Sequence, residues 1–126
     1  TSFMPIDDWL PALSQGAIGI EIRANDSGTA LLVSQLNHRP TEIALACERA
    51  FQLALDGSCR TLIGGLATFA NNLLSFRGEV IAPDGSDSAE TSFEATLDEN
   101  AQEEAAHLGK QSGDALKPRA KNWLVL

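Results

Sequence analysis

The sequence predicts an α+β domain in which helices pack on one face of a three-stranded antiparallel sheet. Apolar residues recur at three- and four-residue steps on either side of the chain's centre, which is typical of helices. In the centre they alternate with polar residues, which is typical of half-buried strands. With 126 residues the chain fits one domain, and helices covering one face of a small sheet bury a modest core economically.

A stray strand is predicted near the N-terminus. Residues 17–23, AIGIEIR, alternate Ile18, Ile20 and Ile22 with small or charged residues, which is the two-residue period of a strand. The segment has no obvious hairpin partner nearby. We therefore expect it to be disordered, or to pair with a neighbouring molecule or with the C-terminal NWLVL.

Two helices are predicted before the sheet. The first covers residues 29–37, after turn and capping residues at 25–28. The second begins at Pro40, and its apolar residues share one stripe: Ile43, Cys47, Ala50, Phe51 and Ala54. Cys47 is therefore predicted to point inward. Gly57 is placed to end this helix in the left-handed conformation.

Three strand signals follow, at residues 61–70, 73–82 and 88–97. The Asn71–Asn72 pair bounds the first strand, and Pro83-Asp84-Gly85 makes the next turn. In the later two strands the residues of one face are Leu74, Phe76, Val80 and Ala82, then Ala89, Thr91, Phe93, Ala95 and Leu97. Ser75, Arg77 and Glu79 lie on the other face, so the pattern predicts an antiparallel meander with one wet face.

A last helix is predicted after the sheet. Asp98 is expected to cap it, Glu99 to lie in its first turn, and Pro118 to stop it. Its inward positions are predicted to be Ala101, Ala105, Leu108, Ser112 and Ala115.

Charge and cysteine content exclude several classes of protein. The net charge is −8, which disfavours binding to a nucleic acid backbone, double-stranded RNA included, or to an anionic membrane. No apolar run is long enough to span a bilayer, and the acidic N-terminus is unlike a signal peptide, so we expect a cytoplasmic protein. Two widely spaced cysteines favour neither a disulfide framework nor a metal site.

Cys59 is the candidate for covalent chemistry. A thiol beyond a helix end is more accessible than one on a core stripe, and the adjacent Arg60 favours a thiolate. The negative end of the preceding helix disfavours one, and His38 and His107 lie in polar segments where no Cys–His arrangement is visible. The residues do not favour a turnover nucleophile, while an inert thiol and an attachment point both stay open.

Arg23, Arg49 and Arg60 are the candidate ligand-binding residues. The alternation in AIGIEIR places Arg23 opposite the isoleucines, and Arg49 lies on the helix that leads to Cys59. Guanidinium groups bind carboxylates bidentately, so these arginines would suit a ligand that bears carboxylates. Solvated or salt-bridged surface positions are the alternative. The glycines at residues 16–19 do not form a dinucleotide-binding loop.

Three stretches resemble the C-terminal part of porphobilinogen deaminase, also called hydroxymethylbilane synthase. They are PALSQGAIGIEIRANDS at 11–27, ERAFQLALDGSC at 48–59 and VIAPDGS at 80–86. The resemblance covers nearly the whole chain from Leu10 onward. Its most specific piece is Glu48-Arg49, Phe51, Leu55, Gly57-Ser58-Cys59, Thr61 and Ile63-Gly64. One departure is Leu62, which stands where the family usually has proline, so the rigidity of the loop after Cys59 is expected to differ.

The resemblance implies a covalent role for Cys59. In the family the cysteine of this motif carries a dipyrromethane cofactor through a thioether, which makes Cys59 the anchor and Gly57 and Ser58 part of its loop. Arg23 and Arg49 match family arginines that contact the acetate and propionate carboxylates of the cofactor or growing chain. The family enzyme condenses four porphobilinogen molecules head to tail into hydroxymethylbilane, releasing ammonia, in tetrapyrrole and heme biosynthesis.

The resemblance also implies a division of the chain. The family fold has three domains, and AIGIEIR resembles a strand that returns to the first domain. Residues 1–23 are therefore expected to belong to a missing first domain, and residues 24–126 to form the C-terminal, cofactor-anchoring domain. The expected partners are the missing N-terminal domains, porphobilinogen and the growing oligopyrrole, with neither nucleic acid nor membrane.

No catalytic residue is expected in this part, because the family's catalytic aspartate belongs to the missing domains. The fragment alone is accordingly expected to be inactive, with a free thiol at Cys59 and no dipyrromethane. The alternative is a stand-alone acidic α+β protein-interaction module whose cysteine is incidental and which has no catalytic role.

Overall fold

A computed structural model describes residues 2–55 and 61–124. Within these residues the helices are α1 (Ser27–Ser34), α2 (Arg39–Ala54) and α3 (Ala101–Ala120), and the strands are β1 (Leu62–Ala70), β2 (Leu73–Ile81) and β3 (Ser88–Thr96). The strands form an antiparallel sheet in the order β1-β2-β3. The predicted α+β class is confirmed, and so is the predicted order of elements from α1 onward.

Tight turns set the register of the sheet. Asn71 and Asn72 join β1 to β2, and both have positive φ, 51° and 61°. This backbone suits a two-residue hairpin turn, and asparagine tolerates it better than most residues. Gly85, with φ of 71°, lies in the turn that joins β2 to β3. The two turns place strands of equal length side by side in a continuous ladder.

The core lies between α2, α3 and one face of the sheet. Phe51 of α2 and Phe76 of β2 meet edge to face, with ring centroids 5.0 Å apart. Phe93 of β3 extends this aromatic contact, with its centroid 5.5 Å from that of Phe76. The predicted inward positions of β2 are confirmed, and so are those of α2 except Ala50, which is half-buried. Cys47 and Val80 are fully buried.

Helix α1 follows the predicted capping residues, but it covers Ser27–Ser34 instead of residues 29–37 and does not join the core. Asp26 caps it, and its Oδ1 accepts a hydrogen bond of 2.9 Å from the backbone N–H of Thr29. No residue of α1 is buried. Leu31, Leu32 and Leu36 are each about 70% exposed in and just beyond this helix, so its apolar surface has no partner within the described residues.

Helix α3 differs from the prediction at both ends. Asn100, not Asp98, occupies the N-cap position, and Glu99 lies before the helix instead of in its first turn. The Asp98 side chain accepts from the N–H of Asn100, which forms a turn ahead of the helix. Pro118 does not stop the helix, which continues to Ala120. A proline in the last turn removes one helical hydrogen bond, and the complete burial of Ala120 keeps the last turn packed.

The prediction for the inward face of α3 is also partly wrong. Ala101 and Ala105 are buried as predicted, but Ala115 is exposed. The buried set of this helix is Ala101, Ala105, Gly109, Gly113, Leu116 and Ala120. Glycine gives no hydrophobic signal in a sequence, so the prediction missed Gly109 and Gly113, where α3 packs closely on α2.

The predicted N-terminal strand is the exception in the fold. Residues 17–23 form no strand, and no bridge joins them to another described segment, including residues 122–124. Ile18 is 93% exposed, since no neighbouring strand covers the isoleucine face. The preceding residues do bind the domain: Ala12 forms an antiparallel bridge with Gly64 at the free edge of β1.

Candidate functional site

The segment between α2 and β1 contains the residues predicted to bind a cofactor. Gly57, Ser58 and Cys59 lie outside the described residues, and so does Arg60. In chain order they follow Leu55, the C-cap of α2, and precede Leu62, the first residue of β1. The anchoring role predicted for Cys59 therefore stays a prediction.

Arg49 lies on the outer face of α2, ten residues before Cys59. Its side chain is exposed and makes no ion pair or hydrogen bond with any residue of the described ranges. An exposed guanidinium group can bind a carboxylate bidentately. The geometry is therefore compatible with the predicted binding of a carboxylate-bearing ligand.

Arg23 lies at the end of the extended N-terminal segment, next to α1. It lines an open depression of about 470 Å³ together with Glu21, Ile22, Asp26 and Thr29. The structure does not bring Arg23 and Arg49 into one cavity, because Arg49 is not part of this lining. Hydrogen bonds from Thr29 hold the pKa of Asp26 below its usual value, so an ionised carboxylate lines the same depression as Arg23 at neutral pH.

Cys47 is the cysteine within the described residues, and its environment does not suit a nucleophile or an attachment point. It is fully buried on α2, and burial together with the neighbouring Glu48 raises its pKa to about 12. A thiol in this environment stays protonated and is out of contact with solvent. The predicted contrast between an inward Cys47 and a separate Cys59 is confirmed for Cys47.

Glu48 is a buried carboxylate that the sequence analysis did not single out as a site. Its side chain is 5% exposed and lies between α2, β1 and the N-terminal segment. Oε1 accepts a hydrogen bond of 2.8 Å from the N–H of Ala67, and Oε2 accepts one of 2.7 Å from the N–H of Ser14. Ala44, four residues before it, and Phe51, three residues after it, are also buried, so Glu48 lies on the inward side of α2. A glutamate in a helix is ordinarily exposed, so the residue type itself gives no sign of this burial.

The sheet face that points away from the helices is acidic. A depression of about 460 Å³ on this face is lined by Asp7, Asp8, Glu79, Glu90, Arg77 and their neighbours. Arg77 donates to the backbone carbonyl of Asp7 at 3.0 Å and lies 3.9 Å from its carboxylate. Burial and the facing Glu90 raise the pKa of Glu79. An excess of carboxylates makes this face a poor site for a ligand that itself carries carboxylates.

The described residues contain no group of three or more His, Cys, Asp or Glu side chains that could hold a metal ion. Among the same residues, no helix is long and apolar enough to cross a membrane. His38 bonds through Nδ1 to the Thr41 hydroxyl at 2.8 Å, and it and His107 are exposed, as expected for surface histidines.

A family model and two curated relatives that match this chain all point to one family. The family model described as the C-terminal domain of porphobilinogen deaminase matches residues 43–118, which run from α2 into the last turn of α3. The chain is 47% identical over 122 residues to the chloroplastic porphobilinogen deaminase of Pisum sativum, covering 95% of this chain and 32% of that protein. It is 42% identical over 120 residues to the porphobilinogen deaminase of Nitrobacter winogradskyi, covering 95% of this chain and 36% of that protein. The chain therefore spans about a third of the length of these relatives.

Proposed function

This chain belongs to the porphobilinogen deaminase family, and on that premise we propose that it is the part of a longer enzyme that tethers the growing oligopyrrole through Cys59. The longer enzyme condenses four porphobilinogen molecules head to tail into hydroxymethylbilane and releases ammonia. The match to the family's C-terminal domain carries this proposal, because residues 43–118 include Cys59 and both elements that flank it. That match does not favour a stand-alone interaction module.

The residues of this chain fit a dipyrromethane group by their chemistry. Such a group presents acetate and propionate carboxylates, and Arg49 offers an exposed guanidinium without a partner among the described residues. Arg23 is exposed at the end of the N-terminal segment and is proposed to bind carboxylates in the same way. When bound, the group supplies the pyrrole end to which new units are added, and Cys59 holds it by a thioether.

The contributions of this chain are anchoring and charge pairing, not acid–base chemistry. An anchor needs reach and an adjoining cavity, whereas a nucleophile that acts in every turnover needs a lowered pKa. We propose that the acid and the other carboxylate-binding residues come from the preceding two thirds of the enzyme. By itself the chain is then inactive, and its Cys59 is a free thiol.

A cytoplasmic location also remains part of the proposal. The name of the pea relative places that protein in the chloroplast, so similarity to this domain does not by itself fix a location.

A chimera tests the proposed function. The pea deaminase is rebuilt with this chain in place of the matching residues, and release of hydroxymethylbilane and ammonia from porphobilinogen is measured. The chimera and its Cys47→Ala variant are expected to be active, while Cys59→Ser is expected to abolish activity without loss of folding. An active Cys59→Ser variant would contradict the proposed tether.

A further inference from the structure

The edge of β1 that does not pair with β2 is covered by the N-terminal segment and by Glu48. β1 pairs with β2 along one edge only, so the N–H groups on its opposite edge need other acceptors. Gly65 donates to the carbonyl of Pro11 at 2.9 Å, and Ala67 donates to Oε1 of Glu48 at 2.8 Å. Two successive donors on this edge are thus satisfied by groups from different parts of the chain.

The same carboxylate also holds the N-terminal segment. The N–H of Ser14 donates to Oε2 of Glu48 at 2.7 Å, so one side chain joins α2, β1 and that segment. A carboxylate has acceptors only, and each oxygen here meets a backbone donor, which makes both bonds charge-assisted. Ser14 has φ of 63°, a left-handed conformation that a serine adopts at a cost.

Leu13 completes the attachment. It packs against the buried core, and a Cβ placed on Gly65 would lie 2.5 Å from its Cδ2. Gly65 is therefore a position where the absence of a side chain leaves room for the segment. The contacts made by Pro11, Leu13 and Ser14 form one continuous attachment along β1.

We propose that Glu48 is a positioning residue that latches residues 10–14 onto the edge of β1. Loss of the latch releases the N-terminal segment and leaves α2, α3 and the sheet folded, because Phe51 and Phe76 pack on each other and not through the segment. One consequence rests on the proposed function: the latch sets the path of the chain between the carboxylate-binding Arg23 and the helix that carries Arg49.

Glu48→Gln tests the latch in this chain. An amide can accept through one oxygen, but its NH₂ group then faces the other backbone donor, so one bond is replaced by a donor–donor contact. Residue-resolved hydrogen exchange is expected to accelerate on the order of tenfold at Gly65 and Ser14. Exchange at the buried amides of Cys47 and Phe76 is expected to stay unchanged.

Two variants of Ser14 test the latch at the donor of its hydrogen bond to Glu48. Ser14→Pro removes the donor and cannot adopt the positive φ, so it should reproduce the acceleration at Gly65. Ser14→Gly keeps the donor and adopts that φ readily, so it should slow exchange at Gly65 severalfold. Uniform acceleration at all amides in Glu48→Gln, or no change at Gly65 in either Glu48→Gln or Ser14→Pro, would overturn the proposal. These readouts do not depend on Cys59, so the latch and the tether can fail separately.

Discussion

Gly109 of α3 packs directly against the backbone of Cys47 in α2, so closely that a methyl group on Gly109 would overlap the Cys47 carbonyl oxygen. One turn later, a Cβ on Gly113 would lie 2.6 Å from that of Ala54 and 2.8 Å from the carbonyl oxygen of Phe51. The two glycines let α3 approach the backbone of α2, and α2 is the helix that leads to the proposed anchor. Gly109 and Gly113 therefore help to fix the position of α2 in the core.

Gly109→Ala should destabilise the fold, although alanine favours helices by about 1 kcal/mol over glycine. The added methyl group meets backbone, which cannot move aside as a flexible side chain can, so we expect the free energy of unfolding to fall by about 3 kcal/mol. Urea denaturation measures it. Gly28→Ala in α1 is the control, because its Cβ would meet only Asp26 Oδ1 at 3.7 Å, so the midpoint should stay unchanged or rise slightly. Equal midpoints for the two variants would contradict this packing.

Cys47 should resist alkylation in the folded chain. With its pKa raised from 9.0 to about 12, the three-unit difference leaves about a thousandfold less thiolate at pH 8, and burial blocks the reagent as well. A Cys59→Ser variant should therefore label slowly in buffer and rapidly in urea. The matched Cys47→Ala variant should label rapidly in both, through Cys59. Fast native labelling of Cys47 would show that α2 does not bury it.

Glu79→Gln should stabilise the fold at neutral pH. Glu79 pairs directly across the sheet with Glu90, and its raised pKa means that the folded chain binds the proton more tightly than the unfolded chain does. The ionised group therefore costs folded-state stability, and its removal should add about 0.5 kcal/mol at pH 7. The gain should vanish below about pH 4, where glutamic acid is itself neutral. Glu94→Gln, whose cross-strand neighbour is Ser75, is the control and should show no comparable gain.

The amides of residues 18–22 should exchange rapidly in this chain alone. They have no strand partner among the described residues, and the isoleucine face is exposed. In the chimera with the pea relative the same amides should become protected, because the preceding domains are expected to supply the neighbouring strand. Strong, concentration-independent protection in the isolated chain would refute this account of the segment.

Much of the fold could be predicted because its signals are local. Pro40 lies in the first turn of α2, and the Asn71–Asn72 pair joins β1 to β2, so neither needs information from a distant part of the chain. The burial of Glu48 could not be predicted in this way, since its partners are the N–H groups of Ser14 and Ala67, 34 and 19 residues away. A glutamate is ordinarily exposed, and only the folded arrangement supplies the donors that make its burial favourable.

The site was predicted less completely than the fold. Residue chemistry alone left Cys59 open between an inert thiol and an attachment point, and only the family resemblance assigned it. Arg23 and Arg49 are predicted to bind carboxylates, but both lie on exposed surfaces, and the ligand or preceding domain that we propose to adjoin them is not part of this chain. Such partners leave no periodic signal in the sequence of the domain they bind.

The most direct test of the proposed tether is intact-mass measurement with peptide mapping, under reducing conditions, of the chimera and of this chain alone. The chimera should carry the added mass of one dipyrromethane group, located on the peptide that contains Cys59, and Cys59→Ser should remove it. The isolated chain should have its unmodified mass, because we propose that the residues that position and protonate the pyrroles lie in the preceding domains. An unmodified Cys59 in an active chimera would contradict the tether, and a loaded Cys59 in the isolated chain would contradict the need for the preceding domains.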